Sequence, residues 1–276
     1  MGIVLDKKLI AIYGPTVSKK TGLAVNLAKY IWGKCNIEVE LISADSRKIY
    51  KDLHIGQANL FPPFDRKLSV RMTGFLPLDK KLSLYDYKKA TEKIVDELHS
   101  QGKLPILFGG TGVYVLSIIE NWIVPQRSEV AIEEEKMSGR NPPKYKTLLL
   151  VPDFNKRVLF KAIKASIERN FERGIYDEVR GLVKKHAFDP LNPERWNILY
   201  EAIGYREFLE YVYEKQKPLD KFSNTDLRKV KSRIFTDTKD LARRQINFLP
   251  RFKSKNIVRS WQDARALVDG FLGEGW

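Results

Sequence analysis

The stretch Leu9-Ile-Ala-Ile-Tyr-Gly-Pro-Thr-Val-Ser-Lys-Lys-Thr21 decides the fold of this chain, because an apolar strand leads through a short loop into a helix. The loop is close to the phosphate-binding pattern G-x-x-x-x-G-K-[ST]. Gly14, Lys20 and Thr21 are in register, and Lys19 replaces the second glycine. In that pattern backbone N–H groups surround phosphate oxygens, the lysine neutralises them and the hydroxyl binds Mg²⁺. The stretch predicts a polyphosphate site, with an ordinary strand-to-helix turn as the alternative.

The charge of the chain is strongly basic: 49 Lys and Arg against 34 Asp and Glu give a formal net charge of +15 over 276 residues. This balance favours a polyanionic partner such as nucleic acid, and a solubilising surface excess is the alternative. The single cysteine, Cys35, excludes an internal disulfide and a multi-cysteine zinc finger. There is neither a secretory apolar core nor a run long enough to span a bilayer, so we expect a cytoplasmic protein with no membrane partner.

Short apolar runs alternate with helical patterns. The predicted strands are Leu9–Tyr13, Val39–Ser43, Leu104–Phe108, Thr147–Val151 and a weak one at Ile257-Val258. Alternating strands and helices argue for right-handed crossovers and a mostly parallel sheet. After Asp153 helical patterns dominate, and the longest stops at Pro250. The predicted fold class is α/β, a P-loop NTPase-like parallel sheet flanked by helices, with a smaller helical insertion.

The chain divides into three predicted segments. Residues 1–125 form the first part of the P-loop core, residues 126–200 a helical insertion, and residues 201–276 a basic helix with a C-terminal return to the core. The first boundary rests on a polar excursion at residues 126–146, which contains Pro142-Pro143 and a run of three glutamates. We interpret this segment as an exposed excursion or a hinge.

Polar groups follow two further strands. Asp45 comes just after the second strand, and Gly109-Gly-Thr-Gly-Val-Tyr114 begins at the end of the third. In a doubly wound sheet the carboxyl ends of the strands line the ligand crevice, so both should lie near the loop after the first strand. Asp45 can accept a proton or hold a magnesium-bound water there, or it can cap a helix. Glycines next to Thr111 permit a tight turn and close approach to a ligand.

A strongly basic helix is predicted near the C-terminus. Its eight cations against two acids, Asp237 and Asp240, leave a net charge of +6. A solvated charged face is the usual explanation for such a run, but this imbalance favours contact with a phosphate backbone. The cations are Arg228, Lys229, Lys231, Arg233, Lys239, Arg243, Arg244 and Arg251.

Five collinear blocks together resemble the tRNA dimethylallyltransferases across nearly the whole chain. The blocks are Gly-Pro-Thr-x-Ser-x-Lys-Thr at 14–21, Ser-Ala-Asp-Ser-Arg-x-Ile-Tyr at 43–50, Gly-Gly-Thr-Gly-x-Tyr at 109–114, Ala-Ile-Gly-Tyr-Arg-Glu at 202–207 and Ala-Arg-Arg-Gln at 242–245. The chain departs from the family at Lys19, at Lys48 in place of the usual glutamine, and at Glu201, where a basic or uncharged polar residue is usual.

The resemblance implies transfer of a dimethylallyl group from dimethylallyl diphosphate to N6 of adenosine 37 in tRNA. It implies Asp45 as general base, Thr111 as a second catalytic residue in the channel wall, and Mg²⁺ as cofactor with Thr21 as its ligand. The residues implied to hold diphosphate are Gly14, Pro15, Thr16, Ser18, Lys19, Lys20 and Thr21. Those implied to bind the anticodon stem-loop of tRNA are Ser46, Arg47, Lys48, Arg206, Lys239, Arg243, Arg244 and Gln245. A monomer is the default expectation.

Three other functions stay open at this point. An isopentenyltransferase acting on AMP, ADP or ATP would share the chemistry, but a mononucleotide needs no long basic helix. A small-molecule P-loop kinase would explain residues 9–21 but not the blocks after residue 200. A paralogue that binds tRNA with impaired catalysis is the third, and Lys19 is the reason to consider it.

Overall fold

The computed structural model describes residues 7–57, 68–126, 139–192 and 198–273. Within these ranges six strands form one sheet in the order β3-β2-β4-β1-β5-β6, and every neighbouring pair is parallel. This confirms the predicted α/β class and all five predicted strands. The strands are β1 Lys8–Tyr13, β2 Val39–Ser43, β3 Val70–Arg71, β4 Leu104–Gly109, β5 Lys146–Pro152 and β6 Asn256–Val258.

Sequence reasoning missed β3, which has two residues and pairs with β2 through Leu41 and Ile42. Two residues are too few to show a strand pattern. Eight α-helices lie in the described ranges, and the predicted long helix ends as expected just before Pro250. The helices are α1 Lys20–Cys35, α2 Leu84–Ser100, α3 Gly112–Ile119, α4 Lys156–Glu172, α5 Ile175–Lys185, α6 Arg206–Lys215, α7 Asn224–Phe248 and α8 Trp261–Leu272.

Helices cover both faces of the sheet. Leu27 of α1 and Val268 of α8 are fully buried against one face. Val95 of α2 and Val115 of α3 are buried against the other, where Phe252, just after α7, joins them. Burying each such side chain contributes about 1.5–3 kcal/mol, so the two faces hold the strands in place. The positions of the loops at the strand ends follow from this packing.

A third core joins the remaining helices into a helical layer. Ile163 of α4, Phe208 of α6 and Ile234 of α7 are buried together with Ile49 and Tyr50, which follow β2. The helical layer therefore contacts the chain just beyond the carboxyl end of β2. The candidate site lies between this layer and the sheet.

The division of the chain at residues 125 and 200 stays a prediction. Within the predicted helical part, 126–200, β5 is a strand of the sheet between β1 and β6, and the helical layer begins only at α4. The predicted excursion at 126–146 falls largely outside the described residues. Within the ranges that are described, no helix combines the length and the apolar character needed to cross a membrane.

Candidate active site

The loop between β1 and α1 keeps the phosphate-loop shape without its second glycine. Lys19 adopts φ 64° and ψ 18° in the left-handed region and immediately precedes α1, and Val17 has φ 61°. Left-handed backbone costs a residue other than glycine about 1–2 kcal/mol. The side chain of Lys19 is exposed, whereas that of the neighbouring Ser18 is buried. The chain therefore retains the turn at a conformational cost, and the added side chain does not fill the loop.

The interior of this loop contains polar groups suited to an anion. Ser18 is buried, and its Oγ has no hydrogen-bond partner in the described structure. Lys20 Nζ donates to the carbonyl oxygen of Pro15 at 2.5 Å. Desolvation lowers the pKa of Lys20 to about 7, Asp45 opposes this shift and Lys48 adds to it. A phosphate group here would accept from Ser18 and restore full charge on Lys20, so the residues fit a diphosphate.

Gln245 of α7 joins the phosphate loop to the loop after β4. Its Oε1 accepts from the backbone N–H of Thr16 at 2.7 Å, and its Nε2 donates to the carbonyl of Gly110 at 3.0 Å. The Tyr13 hydroxyl donates to the backbone carbonyl of Gln245 at 2.9 Å. Sequence reasoning grouped Gln245 with the tRNA-binding residues. Its side-chain amide positions both loops inside the site, and contact of Gln245 with tRNA stays a prediction.

The glycines after β4 are explained by packing within the protein. A Cβ on Gly109 would lie 2.0 Å from the carbonyl oxygen of Ala44, and one on Gly112 would lie 2.2 Å from the ring of Phe248. A Cβ on Gly110 would lie 2.4 Å from Nε2 of Gln245. Their φ angles are not positive, so no special backbone conformation requires glycine here. The sequence predicts that these glycines allow a ligand to come close. The structure shows that Ala44, just after β2, and Phe248 of α7 already lie too close for a Cβ at Gly109 and Gly112.

The carboxyl ends of β2 and β4 bring Asp45 and Thr111 to the same edge as the phosphate loop. Asp45 Oδ1 accepts from the backbone N–H of Arg47 at 3.0 Å, in a turn rather than at a helix start. Thr111 Oγ1 accepts from the backbone N–H of Ser46 at 3.0 Å. Asp45 also acts electrostatically on Lys20. Asp45 therefore does not cap a helix, and its role as a base beside a phosphate site stays a prediction.

Lys48 and Arg47 flank this carboxylate. Lys48 is half-buried, and burial lowers the pKa of its ammonium while Asp45 opposes the shift. Arg47 Nη1 lies 3.3 Å from Oε2 of Glu201, whose Oε1 lies 2.5 Å from Nζ of Lys81. Burial opposes ionisation of Glu201, but Lys81 and Arg47 hold the pKa of its carboxyl below the usual value. Sequence reasoning missed Lys81, because the contact joins residues 120 positions apart.

A stacked aromatic pair lies behind Asp45 and was also missed. The rings of Tyr87 and Tyr114 are 3.7 Å apart and nearly parallel. The Tyr87 hydroxyl donates to the carbonyl of Ser43 at 3.0 Å. Tyr114 is the last residue of the block at 109–114, and that block was the available signal that this ring lies near the site. The pair fixes the end of β2 against α2 and α3.

Arg206, predicted to bind tRNA, lies in an internal ion network. Its Nη2 is 2.7 Å from Oδ2 of Asp237 on α7, and its Nε is 3.3 Å from Oε1 of Glu207. Glu207 is fully buried, and this burial raises the pKa of its carboxyl to about 8. Arg206 therefore links α6 to α7, and its contact with tRNA stays a prediction.

Cations on α7 fall into two groups. Lys231 pairs with Glu168 of α4 at 2.6 Å, and Arg233 pairs with Glu214 of α6 at 2.6 Å. The net charge of +6 was counted over residues 228–251, which include Arg251 beyond α7 and leave out Asp226 within it. The partners on α4 and α6 neutralise part of the remaining charge. The remaining predicted tRNA contacts lie towards the end of the helix: Lys239 over the ring of Phe235, Arg243 beside Asp240 and Phe160, and exposed Arg244.

The residues at this edge also fit the predicted magnesium ion. The described residues contain no group of three or more His, Cys, Asp or Glu side chains placed so that they could hold a metal ion. Magnesium in phosphate sites takes one or two protein ligands, with waters and phosphate oxygens as the rest. The half-buried hydroxyl of Thr21 and the carboxylate of Asp45 are oxygen donors of this type. Magnesium itself stays a prediction.

Comparisons with known proteins match most of the chain. A family model described as IPP transferase matches residues 48–141 and 126–252. A tRNA dimethylallyltransferase from Oenococcus oeni is 26% identical over 266 residues, which cover 96% of this chain and 92% of that protein. One from Roseiflexus castenholzii is 26% identical and covers 94% of this chain and 94% of its own length.

Solved structures share the fold. The tRNA isopentenylpyrophosphate transferase of Bacillus halodurans has a TM-score of 0.75 and 20% identity, with 97% of each chain covered. A eukaryotic dimethylallyltransferase acting on tRNA has a TM-score of 0.69 and 18% identity, over 93% of this chain and 75% of that one. The sheet and the helical layer therefore recur together in these proteins.

Proposed function

Because the chain belongs to the IPP transferase family, we propose that it transfers a dimethylallyl group from dimethylallyl diphosphate to N6 of adenosine 37 in tRNA. The N6 nitrogen forms a bond to the allylic C1 carbon, and the C1–O bond breaks with its electron pair leaving on diphosphate. The N6 proton passes to Asp45. Membership of this family argues against the small-molecule kinase, and relatives named for tRNA argue against a free adenylate as acceptor.

One observation carries the proposal: β1 and β2 run parallel in one sheet, so Lys20 and Asp45, which follow them, lie at the same edge of that sheet. A base must be close to the carbon that loses diphosphate, because nitrogen attack and leaving-group departure occur at the same atom. Asp45 Oδ1 is held by the N–H of Arg47. In this proposal the second oxygen of the same carboxylate accepts the N6 proton.

The phosphate loop holds the leaving group in this proposal. Lys20 and the orphaned Ser18 hydroxyl bind diphosphate oxygens, and the exposed ammonium of Lys19 adds positive charge at the mouth of the loop. No γ-phosphate is cleaved, so the loop has only to stabilise a departing anion. Lys19 is compatible with that task. Magnesium, held by Thr21 and diphosphate oxygens, would supply further neutralisation of the charge that develops there.

Labelled dimethylallyl diphosphate tests this proposal when it is offered with unmodified tRNA, with AMP and with neither. We expect label in tRNA alone, and preferred labelling of AMP would overturn the acceptor. Asp45→Asn keeps the turn acceptor for Arg47 but removes the base, so we expect loss of turnover with tRNA affinity retained. Asp86→Asn, at an exposed position on α2, is the matched control and should remain active. Parallel loss of tRNA binding in Asp45→Asn would contradict the general-base role.

A further inference from the structure

The first half of α4 carries cations that neither the catalytic site nor the fold explains. Arg157, Lys161 and Lys164 are spaced i, i+4, i+7 and all three are exposed. This spacing places them on one side of the helix, as a stripe about 10 Å long. The buried residues Leu159 and Ile163 face elsewhere. We call the three cations the α4 stripe.

Helix stability does not account for this charge. The first turn of α4 has no acidic residue, and it contains Lys156 and Arg157. Positive charge near a helix N-terminus is disfavoured by roughly 0.3–1 kcal/mol per group. Asn155 caps the helix by accepting from the N–H of Arg157 at 2.9 Å, so the helix begins without help from these cations. Among the described residues, no acidic side chain forms an ion pair with the α4 stripe.

The helix that carries the α4 stripe begins at the same edge of the sheet as the phosphate loop. Residue Ile12 of β1 pairs with Leu150 of β5, so the chain leaves β5 beside Gly14 and starts α4 at the same sheet edge. The guanidinium of Arg243 on α7 lies 5.8 Å from the ring of Phe160. Gln245, two residues further along α7, contacts the phosphate loop itself. The first half of α4 and the end of α7 therefore pack against each other at the edge of the sheet where the site lies.

We infer that the α4 stripe binds the phosphodiester backbone of the tRNA stem while the target base enters the site. This inference rests on the proposed function, because it takes tRNA as the substrate. Regularly spaced phosphates are the anion that matches three cations along about 10 Å, and such contacts set orientation without reading sequence. The RNA footprint then extends from α7 across the start of the helical layer.

Charge neutralisation tests the inference. In R157Q/K161Q/K164Q three phosphate contacts are lost, so the slope of log K against log salt should flatten by about 2 to 2.7. Affinity for an unmodified tRNA transcript at 0.1 M salt should fall on the order of tenfold or more. The matched control K29Q/K89Q/K93Q removes equal charge from exposed positions on α1 and α2, and its binding should change less than twofold.

The outcomes separate the two proposals. Equal salt slopes for both triple variants, with wild-type protein that prenylates tRNA, would overturn the α4 stripe alone. Wild-type protein that neither binds nor prenylates tRNA would overturn the proposed function as well. Single variants R157Q, K161Q and K164Q should each flatten the slope by about 0.7 to 0.9, which keeps the test available if the triple variant folds poorly. A raised KM for tRNA exceeding any fall in kcat would further support contact with RNA.

Discussion

Gln245→Ala should loosen the phosphate loop and destabilise the fold together. The change removes the acceptor of the Thr16 N–H at 2.7 Å and the donor to the Gly110 carbonyl at 3.0 Å. Leaving a buried polar group without its partner costs about 1–3 kcal/mol. Two such groups, partly relieved by water at half-buried Thr16, predict a loss of about 2–4 kcal/mol. For a chain of this size the unfolding temperature should fall by about 5 to 10 °C.

Thermal unfolding followed by circular dichroism measures this loss, and calorimetric titration with diphosphate measures the effect on the site. Gln262→Ala, at an exposed position on α8, is the matched control and should change stability by less than about 0.5 kcal/mol. Gln245→Glu keeps the acceptor for Thr16 but places a carboxylate beside the phosphate loop, so it should weaken diphosphate binding more than Gln245→Ala does. Equal unfolding temperatures for Gln245→Ala and Gln262→Ala would refute the bridging role.

Three further changes test the charges and backbone of the site. Lys19→Gly relieves the left-handed backbone strain, so its free energy of unfolding in urea should exceed that of Lys19→Ala by about 0.5–1 kcal/mol. Its affinity for diphosphate should change less than about tenfold. Equal stability of the two variants would contradict the strain. The pKa of Lys20 is about 7 in the free protein and must rise on binding an anion, so diphosphate binding at pH 8 should take up protons and weaken as pH increases. Titration calorimetry in two buffers measures this uptake; Lys20→Arg, always charged, should remove it, and equal uptake in both proteins would exclude Lys20 as its source. Glu201→Gln frees Arg47 and Lys81 for phosphate, so the salt dependence of tRNA binding should become steeper, and an unchanged slope would show that these cations do not meet RNA.

Sequence patterns predicted the sheet because each long strand is a buried apolar run, and parallel strands bring their carboxyl ends to one edge. From this rule alone, Asp45 and Thr111 are expected near the phosphate loop, because each follows the carboxyl end of a strand. The rest depends on contacts that a linear pattern does not contain. Glu168 and Glu214, which neutralise cations of α7, come from α4 and α6.

The direction of Gln245 was missed for a related reason. α7 is 25 residues long and carries polar groups on nearly every side, so its spacing does not tell which polar face looks inward. The glycines at 109–112 raise the same difficulty. Their small size is required by Ala44 and by Phe248 of α7, residues that become neighbours only in the folded chain.

The position of Gln245 couples any movement of the end of α7 to the phosphate loop. One side of the end of this helix is fitted against a loop that tolerates no Cβ, while Arg243 and Arg244 face outward. An outward shift of the helix end by about an ångström would therefore break both hydrogen bonds of Gln245, the one from Thr16 and the one to Gly110, at the same time. A partner that binds the outer side of α7 and shifts this helix would therefore also change the geometry of the phosphate loop.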